Sequence, residues 1–228
     1  MNRGYHEIKE HGKREFPFNI YPCSIPVDFS HVALHWHEEM EIIAVKKGKG
    51  RITVDTVSYP VEEGDILAVF PGQLHAISCG NGERMEYENI IFRLSMLMGD
   101  NGDGCTVHFL KPLQEGQAKN PVLIQRNQPD HEVFGKVIQE LDRFSEIRGN
   151  GYQLAVKGQL FLFLYYAYGR GILFTEKKPG HAREKIKGIL EYIREHFGEE
   201  ITIRQAAELC FYSESHFMKY FKQSIRST

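Results

Sequence analysis

The chain has 228 residues, of which 42% are hydrophobic, 25% charged and 12% aromatic. That composition supplies a sizeable core and excludes a disordered or fibrous polypeptide. With 28 basic against 30 acidic residues the formal net charge is −2, which excludes a uniformly basic nucleic-acid coat but not a local basic strip.

Four cysteines (Cys23, Cys79, Cys105, Cys210) stand far apart with no C-x-x-C pair, as expected for reduced thiols in a cytoplasmic protein. The stretch MNRGYHEIKEHGKREFPF has no apolar signal-peptide core, and the run LFLFLYYAYG at 160–169 is too short to cross a bilayer. No membrane partner is expected.

Residues from about 16 to 110 read as short strands broken by turns at Gly48-Lys49-Gly50, Glu62-Glu63-Gly64-Asp65 and Pro71-Gly72. Ile52 and Val54, then Ile66, Ala68 and Phe70, alternate with their neighbours at period two, and a further strand is predicted in 85–94. Many short, regularly spaced strands predict a β-barrel or jelly roll. From 131 to 170 the period lengthens. Val133, Val137, Ile138, Leu141 and Phe144 predict one helix. Leu154, Val156, Leu160, Phe161, Leu164 and Tyr165 predict a second after Gly149-Asn150-Gly151. The second has more apolar surface than one contact face needs, so it is either a fully buried core helix or an aromatic-rich subunit interface. A polar Lys-Lys-Pro-Gly segment at 175–182 reads as a linker. Beyond it, Ile186, Ile189, Leu190, Ile193 and Phe197 form an amphipathic stripe with Gly198 at a candidate C′ position. Thr202 and Ser213 are candidate N-caps for helices over about 203–210 and 214–223.

The segment HWHEEMEIIAVKKG contains His35, His37 and Glu41. On a strand, alternate residues share a face, so these three point one way and Trp36 the other. His75, from the strand after Pro71-Gly72, is placed to close the set. Three imidazoles and a carboxylate suit Zn, Fe, Mn or Ni. The same groups would also serve a metal-free polar ligand, or form a self-satisfied polar network.

These residues resemble the first cupin motif, H-x-H-x(3)-E-x(6)-G, at His35, His37, Glu41 and Gly48, with Phe29 where an upstream glycine is expected. The second motif is met in part: Gly64, Gly72 and His75 fit, Pro71 falls one residue late, and Cys79 replaces an asparagine. Downstream, "YIREHFGEEITIRQAAELCFYSESHFMKYFKQ" resembles the start of the DNA-binding domain of AraC/XylS-type transcription regulators. The small pair Ala206-Ala207 permits a close helix crossing, and Phe217 and Phe221 anchor a second helix. The late proline also suits the sensor cupins of that family.

The resemblance implies an α+β fold in which an N-terminal cupin or jelly-roll barrel is followed by two helices and then an incomplete helix-turn-helix domain. The expected divisions are an effector-sensing domain over 1–115, a helical dimerisation region over 116–174, a linker over 175–182 and the first half of a DNA-binding domain over 183–228. The family's domain has a second helix-turn-helix unit, so the chain is expected to be a shortened or partial one. It implies a ligand-responsive DNA-binding transcription regulator, homodimeric and a candidate partner of RNA polymerase, with no required cofactor. The effector, a sugar or similar polar metabolite, would meet His35, His37, Glu41 and His75, with Phe16 and Phe18 on an arm folded over the pocket. Carried over by position, Ser215, Met218 and Lys219 would face bases, and His216 and Lys222 phosphates, within a basic strip that also includes Arg226. Two other readings remain at this point: a metal-dependent cupin enzyme and a plain dimeric interaction module.

Overall fold

The structure is a computed structural model, and it describes residues 6–7, 9–55, 57–172, 174 and 181–225. Of the expected linker, 175–180 lies outside the described residues, as does Arg226.

The strands are β1 (Phe18–Ile25), β2 (Val32–His35), β3 (Met40–Val54), β4 (Val57–Glu62), β5 (Ile66–Val69), β6 (His75–Ser78), β7 (Met85–Phe92) and β8 (Val122–Ile124). The long β3 belongs to two antiparallel layers. Its first part pairs with β7 and β5, extending outward to β1 and β8, and its last residues pair with β4 and β6, with β2 beyond. The passage from one layer to the other coincides with a bulge between Val45 and Lys47. Gly48 follows at φ +79°, where an added Cβ would lie 2.0 Å from the Arg84 carbonyl oxygen. Only glycine fits, which explains its place in the motif.

Of the expected barrel or jelly roll, the structure has the two-layer antiparallel form; among the described residues β1 and β8 are unpaired ends of the strand path, so the sheet is not closed. Its outer face is covered by helices instead. Period-two alternation divides β3 between two cores: Met40, Ile42 and Ala44 pack toward the helices, and Ile43 and Val45 pack between the layers with Ile52, Val54, Leu67, Ile77, Met85 and Tyr87.

After the one-turn α1 (Lys111–Gln114), two helices cover that outer face: α2 (His131–Ile147) and α3 (Tyr152–Gly169). The predicted α2 stripe holds at Val137, Ile138 and Leu141. Phe134, one residue from the expected Val133, takes the fully buried place and meets Phe163 edge-on at 5.3 Å. The turn between them uses left-handed Arg148 and Gly151. Helix α3 buries Val156, Leu160, Phe163, Leu164 and Ala167, while Leu154, Phe161, Leu162 and Tyr165 remain exposed. The fully-buried-helix alternative is therefore excluded, because the sheet covers only one side of α3.

The last elements are α4 (His181–Glu195), α5 (Ile203–Leu209) and α6 (Glu214–Ile225). Thr202 caps α5 in a reciprocal capping box with Gln205, and the Ser213 hydroxyl accepts from the His216 amide at 3.3 Å. Ile189, Ala206, Ala207, Cys210 and Phe217 form their common core. Helix α4 stops at Glu195, leaving Phe197 exposed, and Gly198 is not among the glycines with positive φ. The predicted C′ role of Gly198 is thereby corrected: the chain leaves the helix three residues earlier.

Candidate metal and effector site

His35 on β2 and His75 on β6 are directly opposed in the antiparallel register, with ring centroids 4.1 Å apart. Glu41 enters from the start of β3. His37 comes from the β2–β3 connection, whose carbonyl accepts from the Gly72 amide at 2.8 Å. Gly72 itself sits at φ +76°, so a tight turn fixes the approach of β6 to His37. The four predicted residues converge, and one ligand atom from each lies within 4.8 Å of all the others.

The rings are held from behind. Nδ1 of His35, His37 and His75 faces the carbonyls of Ala33, Glu39 and Gln73 at 2.9, 3.1 and 3.0 Å. A carbonyl only accepts, so each Nδ1 bears a proton and each Nε2 turns inward. Such outer hydrogen bonds are those that fix metal-binding histidines. Glu41 Oε2 lies 2.9 Å from His37 Nε2 and 3.0 Å from His75 Nε2. Two Nε2 atoms thus converge on one carboxylate oxygen, and a divalent cation placed there would take the Nε2 lone pairs and face the same negative charge. A tetrahedral zinc with bonds of about 2.0–2.2 Å sets its ligand atoms roughly 3.3–3.6 Å apart, so binding would widen the two short contacts of Glu41 and draw in the longer separations, which reach up to 4.8 Å.

The electrostatics favour that placement. Burial, then repulsion from His75, pushes the His35 pKa down to about 3, so its Nε2 is a free lone pair near neutral pH. Burial opposes charge on His37, but the hydrogen bond and charge of Glu41 outweigh it and raise its pKa. Burial likewise opposes charge on Glu41, yet His75 and His37 hold its carboxyl well below the usual range.

Groups that sequence reading did not single out complete the surroundings. Glu7 Oε2 stands 3.5 Å from His35 Nε2. His11, buried, has its Nδ1 3.2 Å from the Tyr21 hydroxyl and its ring 6.3 Å from that of His37. Buried Glu39 accepts from Arg93 Nε at 2.8 Å, tying the His37 loop to the end of β7. No local spacing marks these residues, because their placement depends on how the N-terminal segment crosses the sheets.

Phe16 and Phe18 do not join the histidines. Alternation along β1 turns Phe18 and Ile20 toward the helices and Cys23 and Ile25 into the inter-layer core. Phe16 meets Tyr152 of α3 edge-on at 5.7 Å. The two phenylalanines instead line a separate cavity of about 640 Å³ between the arm, β1 and the α2–α3 turn. On α6, Ser215, His216, Lys219 and Lys222 are exposed. Met218 is half-buried against the α4–α6 core, and the His216 ring lies 4.3 Å from that of Tyr212.

Comparison with known proteins adds the following. The family described as "AraC-like ligand binding domain" matches residues 26–164, more than half of the chain. "Uncharacterized HTH-type transcriptional regulator YdeC" of Bacillus subtilis (strain 168) is 20% identical, the match covering 100% of this chain and 78% of the relative. "Uncharacterized HTH-type transcriptional regulator YbfI" of the same organism is 25% identical over 82% of this chain and 64% of its own length. Among solved structures, ToxT from Vibrio cholerae O395 aligns at 15% identity over 94% of this chain and 79% of that one, with a TM-score of 0.40. No helix among the described residues is long and apolar enough to cross a membrane.

Proposed function

The chain belongs to the AraC-like ligand-binding domain family, and from that premise we propose that it is a ligand-responsive, DNA-binding transcription regulator whose ligand is held by His35, His37, Glu41 and His75. The convergence of these four side chains, with every ring oriented by a backbone carbonyl, carries the reading. The ligand is a divalent metal, alone or together with a small polar molecule such as a sugar bound beside it. The matched family and the relatives' names favour a regulator over the metal-dependent enzyme that the same four residues would permit.

DNA is engaged through α6. Ser213, Glu214 and Ser215 open the helix, Phe217 anchors it, and the exposed Ser215, His216, Lys219 and Lys222 share its outer side, with Met218 at the margin. Lys222 would neutralise a phosphate and Lys219, three residues earlier, would face a base. Changing Lys222 to alanine is expected to weaken binding across all DNA sequences and to reduce the slope of log affinity against log salt by roughly 0.9, one phosphate contact. Filter binding or fluorescence anisotropy at several salt concentrations measures this, and an unchanged slope would remove Lys222 from the interface.

The exposed face of α3 is the surface of a second copy. Leu154, Phe161, Leu162 and Tyr165 lie along one side, and a Cβ on Gly158 between them would meet nothing within 4 Å. That leaves room for a partner helix to come close. Leu162→Asp with Tyr165→Asp is expected to shift a dimer to monomer in light scattering after size exclusion. A native chain that is already monomeric at tens of micromolar would refute the assignment.

A further inference from the structure

Trp36 stands between His35 and His37 in sequence, and it is the chain's single tryptophan. The side chains of β2 and β6 sort onto two faces. His35, His37 and His75 point to the Glu41 side, whereas Leu34, Trp36, Leu74 and Ala76 form the opposite face. That opposite face is covered by Ile186 and Leu190 of α4 and by Phe221 of α6. Phe221 also belongs to the α4–α6 core, so the pose of α6 is referred directly to the two strands that hold the histidines.

The contact has a polar clamp. Lys187 Nζ lies 3.9 Å from the centroid of the Trp36 ring, and the lysine is only 8% exposed. Lysine is rarely buried so deeply unless its charge is compensated, and the face of an indole does so well. The clamp is also tied to the Gly72 turn, where an added Cβ would fall 3.0 Å from the same Nζ. The second face of the indole is taken: the His6 ring stacks on it at 4.0 Å and 8°.

We infer that the His35-Trp36-His37 triplet is a two-sided coupling element. Its histidines bind ligand on the inner face, while Trp36 clamps α4 through Lys187 on the outer face, so that occupancy of the site and the pose of the DNA-reading helices are linked. This rests on the regulator reading above. The triplet runs off the end of β2, and its backbone is pinned on both sides: the Trp36 carbonyl accepts from the Glu7 amide at 2.9 Å and the His37 carbonyl from the Gly72 amide at 2.8 Å, so a displacement of the two imidazoles is passed to the residue between them. The inner and outer contacts are therefore biased together, and by linkage each affects the other equally.

The test uses the full chain. Quenching of Trp36 fluorescence by neutral acrylamide and hydrogen exchange over 185–193 are measured in the native protein and in Lys187→Ala, Glu41→Gln and the double variant. His35→Gln stands in if Glu41→Gln does not fold. Lys187→Ala is expected to raise the quenching constant about twofold, because it uncovers one of the two indole faces, the other being covered by His6. Glu41→Gln should change exchange in α4 by at least about fivefold, an effect absent when Lys187 is also replaced. Unchanged quenching in Lys187→Ala removes the clamp, and unchanged α4 exchange on altering the inner face removes the coupling. Calorimetry with Zn²⁺ separates the two proposals. A chain that takes up no zinc but whose α4 answers to Glu41→Gln loses the metal reading and keeps the coupling. A chain that binds zinc at the histidines without any response in α4 keeps the site and loses the coupling.

Discussion

Replacing His75 by alanine is expected to lower zinc affinity more than about a hundredfold, since loss of an outer-shell partner alone costs 10–100-fold. His75 is fully buried, its Nδ1 is held by the Gln73 carbonyl, and its Nε2 is 3.0 Å from Glu41. An alanine there leaves a void that water can enter. Glu41→Gln should lose affinity as well, by removing the one charge that offsets the cation. Its amide would keep hydrogen-bonding capacity, so the fold is better preserved than with alanine. Calorimetry with Zn²⁺ and elemental analysis of the purified chain read both effects. A native chain that carries no metal and shows no heat with Zn²⁺ or Mn²⁺ would confine the cluster to an organic ligand or to an internal polar network.

In the metal-free protein, acidification from pH 6.5 to 4.5 is expected to cost about 2 kcal/mol of stability through His35 alone, since the unfolded histidine is half protonated at the upper end and each full proton difference is worth about 1.36 kcal/mol per pH unit. The sign follows from proton counts. The unfolded His35 takes up its proton near 6.5, whereas in the folded chain burial and His75 delay this until about 3. Between those values the unfolded state binds one proton more, so stability falls with pH. Glu41 adds in the same direction below the ordinary carboxylate value of 4.5, because its folded pKa is held well below it. His37 has a raised pKa. Its contribution is complete below 6.5 and is lost only as pH rises through the folded value, so it adds no slope in this window. Urea titrations with a chelator present, at half-unit pH steps, measure the slope. His35→Gln should flatten it between 6.5 and 4.5, and an equal slope in that variant would place the acid sensitivity elsewhere.

That His35, His37, Glu41 and His75 converge was legible in the sequence from their spacing, but the single strand assumed for the first three is not there: β2 ends at His35, His37 lies in the connection and Glu41 on β3, so a turn and not strand alternation alone brings them together. The N-cap at Thr202 is local, a matter of one helical turn, though its reciprocal bond with Gln205 shows only in the structure. Helix α2 was legible to within one residue, its packing partner Phe134 having been read as Val133.

Tertiary structure decided the rest. Whether the strands close depends on what covers their outer face, and here α2 and α3 bury Met40, Ile42, Ile90 and Phe92 without closure. The N-terminal segment approaches the site through Glu7 and His11, not through Phe16 and Phe18, because β1's register against β7 sets which of its faces meets the helices. The exposed side of α3 could not be separated from its buried side by composition, since both are apolar. Lys187 reads in sequence as an ordinary surface charge. It becomes a buried clamp on Trp36 only because α4 packs across β2 and β6. What a single element imposes on its own residues is written in the sequence. What one element imposes on another depends on distances between residues far apart in the chain, and only the folded structure sets them.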